Sequence, residues 1–128
     1  MKPEKAPHLQ VGETGEDIIV KHLVKHGYKI LKRNYRKKWG EIDIVAEKKK
    51  ILYFVEVKAV SSKKDFDDYI PEENVHRFKR KRLARTINTY LAEKNVTHET
   101  EFQVDIASVY INRDTEEYKI RYLENVLL

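Results

Sequence analysis

Asp43, Glu56 and Lys58 are the residues of this chain whose types and spacing could do chemistry. Glu56 and Lys58 interrupt the stretch YFVEVKAV, residues 53–60, whose other members are apolar, aromatic or β-branched. That is the composition of an interior strand. A lone charge in such a strand is costly unless it is paired or binds an ion. Two residues apart, the carboxylate and the ammonium share one face of the strand.

A second segment brings more charge to the same place. Residues 41–48, EIDIVAEK, and 51–60, ILYFVEVKAV, read as two strands of a hairpin joined at Lys49–Lys50. A two-residue loop sets Asp43 opposite Glu56 and Glu41 opposite Lys58. Facing Cβ atoms lie roughly 4.5–5.5 Å apart. Two carboxylates so close repel, and a divalent cation would resolve this, because hard cations take carboxylate oxygens. Lys-Lys is not the favoured chemistry of a tight hairpin turn; a four-residue loop keeps the same pairing, a three-residue loop does not.

The opposite face is predicted to hold Ile42, Ile44, Ala46, Ile51, Tyr53, Val55, Val57 and Ala59, almost wholly apolar. Val45, Leu52 and Phe54 share the charged face, so its far end must be covered too. The expectation is a sheet buried on both sides, with a charged pocket at one end of one face.

The elements that position this hairpin follow from periodicity. A first helix is predicted from Glu13 to His26, with Ile18, Ile19 and Leu23 as its apolar stripe, widened by Val20 and Val24. Thr14 suits its N-cap and Gly27 its end. Residues 28–36 read as a strand ahead of the hairpin. Residues 61–71 read as a polar loop. A second helix is predicted from about Glu72 to Lys94, with Phe78, Leu83, Ile87 and Leu91 inward. Two more strands, EFQVDIASVYI and EYKIRYL, join near Asn112–Thr115. The fold class is α/β, a mixed sheet flanked by helices in the order α-β-β-β-α-β-β. Residues 1–11 read as a flexible arm, and 12–128 as a single domain.

Composition narrows the class of function. The chain has 128 residues, 37% charged, with 26 Lys+Arg against 21 Asp+Glu. This excess favours a polyanionic partner such as nucleic acid. Cysteine is absent, which excludes disulfides and thiolate zinc sites. The N-terminus has no apolar signal region, and no run is long enough for a membrane span. A cytoplasmic protein is the expectation.

An Asp, a 12-residue gap and then Glu-Val-Lys resembles the PD-(D/E)XK superfamily of metal-dependent nucleases. The match is closer to the YraN-like family of proposed endonucleases, which are similar to archaeal Holliday junction resolvases. The resembling stretches are GETGED at 12–17, RNYRKKWGEIDIVA at 33–46 and YFVEVKAV at 53–60. Val75, Lys79, Arg82 and Leu83 fit the family's second helix, and VDIASV at 104–109 its fourth strand. The chain departs from the signature at Ile42, where the superfamily often has Pro, and at Val104, where the family often has Phe.

The resemblance implies a restriction-endonuclease-like fold and a role for each matching residue. Asp43 and Glu56 would be metal ligands for Mg²⁺ or Mn²⁺. Lys58 would orient or activate water and offset phosphoryl charge. Glu16 would reach the metal directly or through water, and Glu41 stands as an accessory. Held near two carboxylates, Lys58 is expected to keep its proton. Nucleic-acid contacts are expected at Lys79, Arg82, Arg36, Asn34 and Arg33. Tyr35 and Trp39 are assigned to core or rim packing, and His22 and His26 to the surface. DNA is the expected partner, branched DNA the narrower expectation, and junction resolution would require a homodimer. A non-catalytic nucleic-acid-binding module on the same fold is the rival reading; a basic RNA-binding protein of the ribosomal kind is a third. Neither accounts for acidic residues facing a phosphate backbone. For Glu56 and Lys58 the plainest alternative is solvent-facing alternation on an edge strand.

Overall fold

The computed structural model describes residues 7–10, 13–62 and 77–128. Two helices, α1 (Gly15–Lys25) and α2 (Arg77–Glu93), accompany five strands: β1 (Lys29–Lys37), β2 (Gly40–Lys48), β3 (Ile51–Ser62), β4 (Phe102–Asn112) and β5 (Tyr118–Leu123). The chain order is the α-β-β-β-α-β-β expected from periodicity. The strands form one sheet in the order β1-β2-β3-β4-β5. All neighbours are antiparallel except β3 and β4, which run parallel. Parallel neighbours need a crossover, and the chain between them contains α2. Strand β3 is therefore central, and the edge-strand alternative for Glu56 and Lys58 falls.

Each helix covers one face. Ile18, Ile19 and Leu23 of α1 pack with Ile44, Ala46, Val55, Ala107 and Val109. Leu83, Ile87 and Tyr90 of α2 pack with Tyr35, Ile42, Val45, Leu52, Phe54 and Val104. The apolar residues on the charged face are thus covered by α2. Two expected inward positions differ. Val24 is 56% exposed, one position beyond the stripe that Leu23 ends. Tyr90, not counted in the α2 stripe, is buried, whereas Leu91 is only partly so. The expected helical start at 72–76, including Val75, the Phe78 side chain and most of the 61–71 loop lie outside the described residues.

Helix α1 starts and stops as its caps dictate. Thr14 accepts a hydrogen bond from the Asp17 amide at 3.2 Å, and Asp17 accepts one from the Thr14 amide at 3.1 Å, a reciprocal capping box. Gly27 follows the helix at φ +88°, where a side chain would be strained. Of the arm expected over 1–11, Pro7 and Leu9 hydrogen-bond with Tyr118 and Glu116 at the start of β5.

Candidate active site

The β2–β3 hairpin has the expected register as far as its ladder runs. Lys48 faces Ile51, and the pairing continues to Ile44 opposite Val55. The turn is two residues long, with Lys49 at φ 51° and Lys50 at φ 66°. Both therefore adopt the left-handed conformation that a primed turn requires.

Beyond Ile44–Val55 the ladder stops. The expected facing pairs Asp43–Glu56 and Glu41–Lys58 are not formed as sheet pairs. The reason is a side chain: the Asp43 carboxylate Oδ2 accepts the Val57 N–H at 2.7 Å. A carboxylate takes the place of a strand carbonyl, so β2 and β3 part there. The alternation of faces also breaks at Asp43. Ile44 packs on the α1 side but Ile42 on the α2 side, which corrects the expected placing of Ile42 with Ile44 and Ala46. Across from this break, Asn34 of β1 sits at φ 51°, and Arg33–Ile44 and Tyr35–Ile42 pair on either side of it. Both strands turn over together.

The parting leaves a cleft of about 370 Å³, whose lining includes Asp43, Glu56, Glu41, Trp39, Lys79 and Arg82. Two close approaches set its walls. A Cβ on Gly40 would come within 2.6 Å of Thr86 Oγ1 and 3.2 Å of the Arg82 carbonyl, so only glycine lets the start of β2 press on α2. A Cβ on Gly15 would come within 2.7 Å of Ala59 Cβ. That contact docks the first turn of α1 beside the Lys58 end of β3 and brings Glu16 towards the cleft.

The charges here are coupled. Burial pushes the Asp43 carboxyl up, offset in part by the Val57 amide, and Glu41, Glu56 and Glu16 add to the rise, to about 6. Glu56 is buried, and its Oε1 pairs with the Lys79 ammonium. Its other oxygen, Oε2, is buried with no hydrogen-bond partner among the described residues. For Lys79, burial opposes the charge, but the Glu56 carboxylate outweighs it and the net shift is upward. Lys58 moves the other way: burial and the Lys79 ammonium together outweigh Glu56 and Asp43, and its pKa is lowered. The two carboxylates do not dominate at Lys58, because burial first, and then the Lys79 ammonium, weigh against its charge.

The remaining residues of the expected site divide clearly. Arg33 Nε donates to Glu16 Oε1 at 2.9 Å, Arg33 Nη2 to Asp17 Oδ1 at 2.7 Å, and Asn34 Nδ2 to Glu16 Oε1 at 3.1 Å. Arg36 Nε donates to Glu41 Oε2 at 3.0 Å. Arg33, Asn34 and Arg36 thus hold the carboxylates around the cleft. Lys79 and Arg82 reach the cleft from α2. Tyr35 is core, 6% exposed. Trp39 lies at the rim with the Arg85 guanidinium 4.2 Å over its ring. His26 Nδ1 is hydrogen-bonded to the His22 carbonyl at 2.7 Å. Sequence reasoning did not anticipate Gly15 and Gly40 as contact points, although each glycine directly precedes a site glutamate.

These side chains fit a hard divalent cation. Asp43 and Glu56 offer oxygen donors only, and the buried, unpartnered Oε2 of Glu56 is the kind of atom an ion would satisfy. Among the described residues no three His, Asp or Glu converge on one point. One or two carboxylates with water and substrate phosphate complete an ordinary Mg²⁺ shell.

Fold and cleft together define a mixed α/β domain with an acidic pair set among lysines and arginines. The chain belongs to the Uncharacterised protein family UPF0102, which it matches over residues 15–109. It is 40% identical over 117 residues to a UPF0102 protein of Campylobacter hominis, covering 91% of this chain and 93% of the relative. A UPF0102 protein of Alkaliphilus metalliredigens is 42% identical over 116 residues, 90% of this chain and 95% of that one. One from Flavobacterium johnsoniae is 37% identical over 118 residues, 92% and 94% of the two chains. The matched span runs from the start of α1 into β4 and includes Glu16, Asp43, Glu56, Lys58 and Lys79. No helix among the described residues is long and apolar enough to cross a membrane.

Proposed function

We propose that this protein is a nuclease of the PD-(D/E)XK type, hydrolysing DNA phosphodiester bonds with Mg²⁺ or Mn²⁺. The observation that carries the reading is the parted end of the hairpin. There a central strand buries Glu56 with one oxygen unpartnered among the described residues, beside Asp43, in a cleft rimmed by Lys79 and Arg82. Such an arrangement costs stability unless a cation uses it.

In this reading Asp43 and Glu56 would hold the divalent ion, with Glu16 at its outer edge. The ion, when bound, supplies charge neutralisation on phosphate and a lowered pKa for water. Asp43 keeps its geometry through the Val57 amide. Lys58, on the strand beside Glu56, positions water and offsets charge at the phosphate. Lys79, Arg82 and the exposed Arg80 and Lys81 of α2 contact neighbouring phosphates, which makes binding salt-dependent. Branched DNA is the narrower substrate we propose, through the likeness of the motifs to junction resolvases; two nicks across one junction would need two copies of the chain.

One observation favours a second reading, a non-catalytic nucleic-acid-binding module. Lys79 already balances Glu56, so the acidic pair is partly neutralised without an ion. Metal dependence separates the two. Single-stranded, duplex, flap and four-way-junction DNA would be incubated with Mn²⁺ or Mg²⁺, with EDTA and Glu56→Gln as controls. Cleavage abolished by both controls is the expected result. Salt-sensitive binding without cleavage of any substrate would establish the binding module instead.

A further inference from the structure

We propose that Lys79 is a stand-in cation: its ammonium holds Glu56 until a divalent ion arrives, and is then released to bind substrate phosphate. This rests on the metal site proposed above and assigns the order in which that site assembles.

Glu56 and Lys79 are unequal partners in their ion pair. The Glu56 side chain is 7% exposed and fixed in the central strand, whereas the Lys79 side chain is 48% exposed on the flank of α2. The fixed partner is the carboxylate and the movable one is the ammonium. Four bonds of alkyl chain let the ammonium leave Glu56 for the open cleft while α2 stays packed through Leu83 and Ile87.

Charge decides when it moves. A buried carboxylate needs a counter-charge, and Lys79 supplies it on Oε1. A divalent ion on Asp43 and Glu56 brings two positive charges to the same few ångströms, where the Lys58 ammonium also stands. Like charges at that distance repel strongly in a half-buried site. The ammonium and the ion therefore exclude one another at Glu56. Displaced, Lys79 faces the cleft next to Arg82, with Arg80 and Lys81 on the same exposed stretch of helix. A phosphate there would meet a cation set that is incomplete before the ion binds. Metal and DNA are then coupled through one side chain, and the coupling is reciprocal.

The test is a Mn²⁺ titration of the whole chain without DNA, read by calorimetry and by the electron paramagnetic resonance of free Mn²⁺. The proteins are wild type, Lys79→Gln, Lys79→Arg and Glu56→Gln. Lys79→Gln keeps a hydrogen-bond donor for Glu56, so the fold is retained, but it removes the competing charge. Its Mn²⁺ affinity should rise about fivefold or more, while Lys79→Arg stays near wild type and Glu56→Gln loses the site. In Ca²⁺, used in place of a cleavage-supporting ion, Lys79→Gln should weaken DNA binding severalfold, and by clearly less in EDTA, where Lys79 is engaged by Glu56; an equal loss in both would overturn the stand-in role. Equal or weaker Mn²⁺ affinity in Lys79→Gln would overturn the stand-in role while leaving the metal site intact. Absence of Mn²⁺ binding in wild type would overturn the metal site, and the stand-in role with it.

Discussion

The two ends of the β2–β3 hairpin are built on opposite rules. At the turn end, five residue pairs from Lys48–Ile51 to Ile44–Val55 face one another in regular register. Of their side chains, Val45, Leu52 and Phe54 pack under α2, and Ile44, Ala46 and Val55 under α1. At the open end, the ladder is given up, and the Asp43 carboxylate takes the Val57 amide that a neighbouring strand would have used. The first end gains from burial of apolar surface. The second spends part of that gain on two buried or half-buried carboxylates that nothing apolar can satisfy. Regular pairing and an ion-ready cleft are alternatives for the same stretch of chain, and the lever between them is one aspartate.

Substitutions at each end should therefore report on different quantities. At the open end, Glu56→Gln should lower the cleavage rate by about 10²–10³-fold with DNA binding retained, as measured by single-turnover kinetics and gel shift. At the turn end, Phe54→Ala should cost about 3–5 kcal/mol of stability, since Phe54 is 1% exposed against Tyr90 and Leu52. Denaturant unfolding measures this, and the folded fraction should keep its cleavage rate. Loss of cleavage in proportion to the folded fraction alone would keep the two ends separate; an additional loss would join them.

Asp43 links the ends through pH. Its folded-state pKa, raised to about 6 against an ordinary value of 3.8, means that the folded protein binds the proton more tightly than the unfolded chain. The stability this proton contributes is complete below about pH 4 and is lost as pH rises through 6. Metal-free Asp43→Asn should then melt roughly 5 °C above wild type at pH 7.5, with the gap closing near pH 4. Mn²⁺ affinity of the wild type should fall below pH 6, where the ion must displace a proton. The smallest effect belongs to the turn. Lys49→Asn with Lys50→Gly places residues suited to φ 51° and 66° and should add about 1 kcal/mol without touching cleavage. A loss of stability would mean that the lysine side chains, not the turn conformation, hold that end.

Much of this was legible in the residues. Alternation and turn length predict the register from Lys48 to Ile44, and Val45, Leu52 and Phe54 beside charges predict cover on both faces. Asp43, Glu56, Lys79 and Arg82 do meet at one cleft. The break in the ladder was not legible, because it depends on a side chain capturing an amide 14 residues away and on Asn34 turning over opposite. Nor was the partner of Glu56: Lys79 reaches it only through the docking of α2, which Gly40 against Thr86 makes close enough. Arg33, Asn34 and Arg36 bond to Glu16, Asp17 and Glu41, partners that were not legible, because a polar or basic side chain near a carboxylate site reads the same whether it faces a ligand or holds the carboxylate.

The most direct measurement starts from DNA already bound to the protein in EDTA and adds Mn²⁺ in a single mixing step, following the cut strand over time for wild type and Glu56→Gln. Cleavage of the bound DNA is expected in the wild type only after the metal arrives, with none in Glu56→Gln although it binds DNA at least as tightly. Cleavage at the same rate in both proteins, or bound DNA that stays intact in the wild type, would contradict this.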